Sequence, residues 1–285
     1  MRSVSFSQYS QFVNCEWAWK LSYVDNIKLS NDNEDNILGT AIHKILQDYI
    51  TIYYNETVNK ANEYPYEDNL MAYITEKIQS SSNLSVDPDK LGEYYADGLA
   101  IFEYFKKNIN KYFSKKNSEL LGVEINLFVP FGNRNISFNG YIDIAIKNKK
   151  DGSIRIIDFK KSYRGWSDKN KKDKMKSAQL QLYKWFYSKQ FNVDIEKISV
   201  EYLILKQKTY ITEWGEVSRI QKHAPPHSER TVKKVFKEFE NNFINKVFDN
   251  DGGVAKDYRF TPNPSKDNCK WCAYRTIKEH CAFGI

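Results

Sequence analysis

The sequence lacks any apolar run approaching the roughly 18 residues that a membrane-spanning helix requires. Met1–Phe12 is polar and lacks the apolar core of a secretory signal. These two absences predict an intracellular, cytoplasmic protein without a membrane partner. Cysteine is scarce, with 4 in 285 residues. In an intracellular setting so few thiols are expected to ligate metal rather than to form a disulfide framework. No internal repeat is visible, which excludes a repeat array. Charge of one sign is only mildly in excess: 43 basic residues against 36 acidic leave a net charge of +7. That suits a polyanionic partner, although a lysine-rich solvated surface explains it nearly as well.

Apolar residues make up 41% of the chain and aromatic residues 15%, including 20 tyrosines. The length therefore supports a large core, and the aromatic rings can fill that core or stack on bases. The hydrophobic period changes along the chain. Ser5 or Ser7 is positioned to cap a first helix running to about Tyr23. A polar linker over 25–36 follows, and helical spacing then predicts Leu38–Tyr54, Tyr66–Gln79 and Asp87–Phe113 as helices, with a loop at Ser80–Asn83. Beyond that the pattern predicts three consecutive antiparallel strands, Leu120–Pro130, Ile136–Ile146 and Ile154–Lys160. A helix over Met175–Phe191, a fourth strand over Ile198–Lys206, an irregular stretch over 207–227 and a long charged helix over Ser228–Phe248 complete it. This order predicts an α/β (mixed α+β) fold with a central mixed sheet flanked by helices. Four segments are expected: 1–56 with the first cysteine and a histidine, a helical insertion over 57–118, the core over 119–210, and a helix with a cysteine tail over 211–285.

The most specific chemistry lies between residues 139 and 183. Asp143 sits in an apolar, β-branched run, and Asp158 and Lys160 end a second such run, with a hairpin turn over Asn148–Ser153 between them. Residues i and i+2 share a strand face, so Lys160 points the same way as Asp158. Two carboxylates on adjacent strands can meet at one divalent cation, and hard oxygen donors suit Mg2+ or Mn2+. With a lysine beside the water that such a site activates, the set is one for phosphodiester hydrolysis. Strand-end acids paired with surface lysines are the alternative for each residue taken singly.

In order along the chain, five elements resemble the RecB-like branch of the PD-(D/E)XK nucleases, which includes AddB-type helicase-nucleases, iron–sulphur nucleases of CRISPR adaptation and phage exonucleases. They are Ser5-Phe6-Ser7-Gln8-Tyr9 with Cys15-Glu16-Trp17, Leu38-Gly39-Thr40-Ala41-Ile42-His43, Gly140-Tyr141-Ile142-Asp143, Asp158-Phe159-Lys160, and Gln179-Leu180-Gln181-Leu182-Tyr183. One departure is Glu16, where the family commonly has proline after the cysteine. The resemblance implies a restriction-endonuclease-like core. It makes Asp143 and Asp158 metal ligands, joined by the backbone carbonyl of Phe159 and by His43, whose imidazole tilts the site toward manganese. Glu124 stands where related enzymes often place another acid, an outward-facing strand glutamate being the alternative. Lys160 would orient the attacking water and stabilise charge on the phosphate. Gln179 and Tyr183, four apart on one helix face, would support the site or touch the substrate backbone, with core filling as the other role for Tyr183.

Residues 164–176 lie between the lysine and that helix and hold six basic residues against two acids. Arg164, Lys169, Lys171, Lys172 and Lys174 are expected to contact phosphates and Trp166 to stack on a base, the alternative being a solubilising loop. Cys269-x-x-Cys272, Cys281 and Cys15 supply four thiolates. Their spacing fits zinc (Zn2+) and a 4Fe–4S cluster equally well, and the resemblance implies the cluster, a staple between the chain ends. The function so implied is a metal-dependent DNA exonuclease acting on single-stranded DNA or DNA ends, in a cell or, if phage-encoded, in the host cytoplasm. No helicase motif is visible, so a helicase or recombination partner would be a separate chain. A nuclease of another cleavage mode, or a non-catalytic DNA-binding scaffold, is the rival reading.

Overall fold

A computed structural model describes residues 1–27, 29, 34–80 and 87–283. The expected linker over 25–36 falls partly, and the loop residues Ser81–Asn83 wholly, outside them.

The chain opens with a short strand that the helical reading of its start did not anticipate, β1 (Arg2–Val4). Ser5 then caps α1 (Phe6–Asn14) by accepting from the Gln8 amide. The predicted single first helix is broken at Cys15, whose extended backbone (φ −160°, ψ 108°) ends α1 and starts α2 (Glu16–Tyr23). Helices α3 (Glu34–Asn55), α4 (Val58–Asn62), α5 (Tyr66–Ser80) and α6 (Pro88–Lys107) follow. Pro88 in the first turn and Asp87 as its cap start α6, as the sequence expects of that pair.

Strands β2 (Ser118–Pro130), β3 (Ile136–Asn148) and β4 (Ile154–Ser162) form an antiparallel meander. One turn of helix, α7 (Asp168–Lys171), and then α8 (Lys174–Phe191) carry the chain back to β5 (Ile198–Lys206), which lies parallel to β4. A helical crossover is what a parallel pair requires. The stretch expected to be irregular holds a two-stranded arm, β6 (Ile211–Thr212) and β7 (Gly215–Glu216), and an edge strand, β8 (Ile220–His223), antiparallel to β5. The last long helix spans nearly its predicted range but is not α-helical throughout. It runs as α9 (Glu229–Phe239), passes through a π-helical turn at Glu240–Ile244, and ends in α10 (Asn245–Val247). A final turn, α11 (Lys266–Cys269), carries the first tail cysteine.

The sheet order is β1-β3-β4-β5-β8, with β2 on the other edge of β3. The sheet thus draws strands from both sides of 119–210. Each face has its own core. Against one face pack Leu180, Leu182 and Phe186 of α8, Phe239 and Phe243 after it, and Tyr9 and Phe12 of α1. Against the other pack Ile42, Ile45 and Leu46 of α3 and Phe102 and Phe105 of α6, over Ile144, Ile157, Phe159 and Leu203. The central strands β4 and β5 are therefore apolar on both sides, which explains why Ile154–Lys160 and Ile198–Lys206 read as continuous β-branched runs rather than alternating ones.

Candidate active site

β3 is bordered unequally. On one edge β2 accompanies it throughout. On the other, β1 pairs with Ile136–Phe138 and β4 with Ile144–Lys147. Residues 139–143 lie between these two partners, and no described strand pairs with them on that edge. Carrying the Ile144↔Ile157 register one residue further would set Asp143 against Asp158, and there the two strands part. The freed Phe159 amide donates to Asp143 Oδ2 instead, at 2.7 Å. Gly140 lies in this opening. A Cβ there would stand 3.1 Å from the Tyr183 ring and 3.2 Å from the Phe138 ring, so glycine is what lets α8 close the floor.

Asp143 and Asp158 are 9% and 3% exposed. Burial pushes both carboxyls up, each to about 6, against the pull of Lys160. Lys160 Nζ lies 2.6 Å from Asp158 Oδ1, yet that oxygen has no partner in hydrogen-bond geometry. The contact is a charge pairing that leaves the lone pairs of the oxygen undirected. Burial lowers the Lys160 ammonium, but the charges of Asp158 and Asp143 outweigh it, and the net shift is upward. Lys160 is therefore firmly cationic and cannot act as a base near neutral pH.

His43 reaches the opening from α3. Its Nδ1 is 3.6 Å from Asp143 Oδ2 and its ring meets Phe159 edge-on at 5.7 Å. Burial lowers its pKa to about 4, so the imidazole is neutral and has a lone pair to offer. Glu124 faces the same place from β2. The flanking pairs Val123↔Ile144 and Ile125↔Ile142 put it across from Asp143. Its φ of +48° is unusual for a non-glycine residue inside a strand and costs about 1–2 kcal/mol. Gln47, one turn beyond His43 on α3 and 2% exposed, donates to Glu124 Oε1 at 2.6 Å. Backbone strain held by a buried donor is the pattern of a side chain aimed for use.

From α8, Gln179 Nε2 donates to Asp158 Oδ2 at 3.3 Å and to Tyr183 Oη at 3.4 Å. Tyr183 is 7% exposed and lies in the core, where its hydroxyl accepts from Gln179. Tyr202, opposite Asp158 on β5, donates to the Lys176 carbonyl at 2.5 Å, and Lys160 Nζ sits 5.8 Å above its ring. Gln47 and Tyr202 were missed from the sequence. A spacing of four from His43 was the available signal for Gln47, and nothing local marks Tyr202 among the apolar residues of β5.

The donor set fits a hard divalent cation in kind: buried carboxylates that resist ionisation, one carboxylate oxygen without a directed partner, and a neutral imidazole. Among the described residues, however, no three His, Cys, Asp or Glu side chains form a ready-made metal group.

The four cysteines converge. Cys15, Cys269, Cys272 and Cys281 line one small cavity of about 20 Å³ together with Trp17, Ala18, Leu21 and Tyr274. All four thiols are free. Burial raises the Cys272 thiol, and the charges of Cys15, Cys281 and Cys269 add to it. Trp17 Nε1 donates to the His280 carbonyl at 2.9 Å, and Tyr274 Oη to the Ile27 carbonyl at 2.6 Å, tying α2 to the tail. The side chains do not close into a ready-made ligand group any more than the acids do.

The basic stretch divides. Arg164, Lys169, Lys172 and Lys174 are exposed, and Lys171 is half-buried. Trp166 is not available to a base. It is 9% exposed, packed 4.9 Å from Tyr202, with its backbone clamped on both sides by the Gln221 amide. Burying an indole contributes more to folding than a solvated loop would leave free for stacking.

The profile of the PD-(D/E)XK nuclease superfamily matches residues 3–277. Among curated proteins none matches the chain. A solved structure described as "Crystal structure of SSO0001" is similar at 14% identity, covering 88% of this chain and 96% of that one; with a TM-score of 0.32 that likeness carries no argument.

Proposed function

The chain belongs to the PD-(D/E)XK nuclease superfamily, and from that premise we propose a metal-dependent DNA exonuclease of the RecB-like group acting on single strands or DNA ends. The observation that carries the reading is the parting of β3 and β4 at Asp143 and Asp158, with Lys160, His43 and Gln179 turned to the same opening.

Asp143, Asp158 and His43 would hold Mg2+ or Mn2+, with Glu124 at the rim and the Phe159 carbonyl as a backbone donor. When bound, the cation supplies Lewis acidity and a low-pKa water. Lys160 would stabilise negative charge developing on the phosphate. Gln179 holds Asp158 Oδ2 in place. The exposed lysines of 164–176 attract the strand without reading its sequence. Any motor would be a separate helicase or recombination chain, which suits a role in DNA recombination or repair.

The four cysteines would hold a 4Fe–4S cluster as a staple, not as an electron carrier. Its test is iron content and visible absorbance of anaerobically purified protein, independent of activity. For the nuclease reading the test is digestion of end-labelled DNA with Mg2+ or Mn2+. Digestion should vanish with chelator and in Asp158→Ala; wild-type turnover in Asp158→Ala at equal metal would remove this acid site from catalysis, and a parent that binds DNA without digesting it would leave a non-catalytic DNA-binding protein. Substrates blocked at the 5′ or 3′ end separate exonuclease from endonuclease.

A further inference from the structure

We infer that the β6–β7 arm is a stacking surface for the unpaired bases of the strand that feeds the acid site, an assignment that rests on the nuclease reading above. Trp214 at its tip is 94% exposed, Ile211 83% and Tyr210 67%. Such exposure contributes nothing to folding and is unusual for a tryptophan, whose ring ordinarily buries most of its area. The arm is nonetheless built to hold its shape. Thr212 Oγ1 accepts from the Trp214 amide at 3.2 Å and donates to the Gly215 carbonyl at 3.0 Å, and Gly215 takes the φ of +108° that the turn needs.

Its root is tied to the catalytic strand. The Gln207 and Lys208 amides donate to the Ser162 and Tyr163 carbonyls at 3.0 and 2.9 Å, extending the β4–β5 pairing past both strand ends. Lys208 is pinned from α6 by Glu93 at 2.7 Å and Asp97 at 2.9 Å. The four residue steps from Asp158 to Ser162 span about 13 Å of extended chain, so the arm begins a few nucleotides from the acids.

Charge favours nucleic acid over another occupant. Arg164, Lys206 and Arg219 gather at the root, Arg219 Nη1 donating to the Gln207 carbonyl at 2.9 Å and the Lys206 amide to the Arg219 carbonyl at 2.8 Å. Exposed Tyr163 carries the Arg164 guanidinium 5.5 Å above its ring. The tip carries Glu213 beside Trp214, which repels phosphate and leaves the ring to the bases. A single strand with phosphates toward the root and bases toward the tip satisfies both ends; a duplex, with its bases paired away, does not.

The test compares the whole protein with Tyr210→Ala/Trp214→Ala and with Tyr210→Ala/Trp214→Phe, using an end-labelled oligothymidylate of about 15 nucleotides in Ca2+ to suppress cleavage. Fluorescence anisotropy should show the alanine pair binding about tenfold more weakly, with the salt slope unchanged because no phosphate contact is lost. The Tyr210→Ala/Trp214→Phe variant, which keeps a ring at the tip, should recover most of that loss, and melting temperatures should agree because the replaced rings are exposed. Cleavage of thymidine 5′-p-nitrophenyl phosphate, too short to reach the arm, should continue at the parent rate. Equal oligothymidylate affinity in parent and alanine pair, as an arm that docks a protein would give, overturns the assignment while leaving the nuclease standing. A parent that neither binds nor cleaves DNA removes both.

Discussion

The acid site and the cysteine site are assembled from opposite kinds of sequence information. Asp143, Asp158 and Lys160 lie within one hairpin, so the turn that pairs β3 with β4 also sets their register. Cys15 and the three tail cysteines come from the two ends of the chain and meet only because α2 packs against Tyr274 and the residues before Cys281. The acids are held by sheet hydrogen bonds and two cores; the thiols rest on a small satellite cluster of Ala18, Leu21 and Tyr274. A local site anchored in a central sheet should survive the loss of one side chain as a fold, whereas a site closing a long loop should not.

That contrast is sharpest in the largest expected effects. Asp143→Ala and Lys160→Ala should each lower turnover by about a hundredfold or more, with a cooperative melt retained. Cys15→Ala should do the reverse: lose bound iron and lower the melting temperature first, with activity falling as a consequence of loosened N-terminal helices. Iron analysis and differential scanning calorimetry on both variants decide it, and a Cys15→Ala protein with unchanged iron and melting would remove the staple.

An intermediate effect concerns pH. Asp143 and Asp158, each raised to about 6, favour the folded state when protonated. Their contribution is full below the ordinary carboxyl range near 4 and is lost as pH rises through 6. A cation must displace those protons, so Mn2+ affinity should climb between about pH 5 and 7 and level off above. His43, lowered to about 4, is neutral throughout that window and holds no proton for the cation to displace, although its own contribution to folding rises with pH between about 4 and 6.5. Calorimetric titration in buffers of different ionisation enthalpy should show proton release at pH 6 and little at pH 8. The cysteine site should show no matching step over this range.

The smallest effect belongs to the basic stretch. Replacing Lys169, Lys171, Lys172 and Lys174 with alanine should weaken binding to all DNA sequences alike. Each lost phosphate contact should lower the salt slope by about 0.7 on single strands. An unchanged slope would make these lysines a solubilising face.

Sequence patterns reached far into the sheet and much less far into its surroundings. Strand β5 was predicted over its observed range, Ile198–Lys206, and β2, β3 and β4 to within two residues at each end; in β4 and β5, buried on both faces, the burial is written directly as an apolar run. Helix α8 was equally legible. Trp166 shows the limit: a tryptophan among lysines resembles a stacking ring, and only the fold of β5 and β8 around it shows that it is core. The start of the chain shows another. Three residues are too few for a period, so β1 is a strand only because β3 offers it an edge.

The chain by itself therefore determined its acids, its lysine, the turn between them and the elements that carry them, since each depends on neighbours within one strand or one helical turn. Tertiary structure alone decided the gap between β1 and β4 where the acids face each other, the strained backbone of Glu124 with Gln47 behind it, and the approach of His43. It also decided the meeting of four cysteines from the two chain ends. These depend on which edges and faces remain free after the core has closed, and no local pattern encodes that remainder.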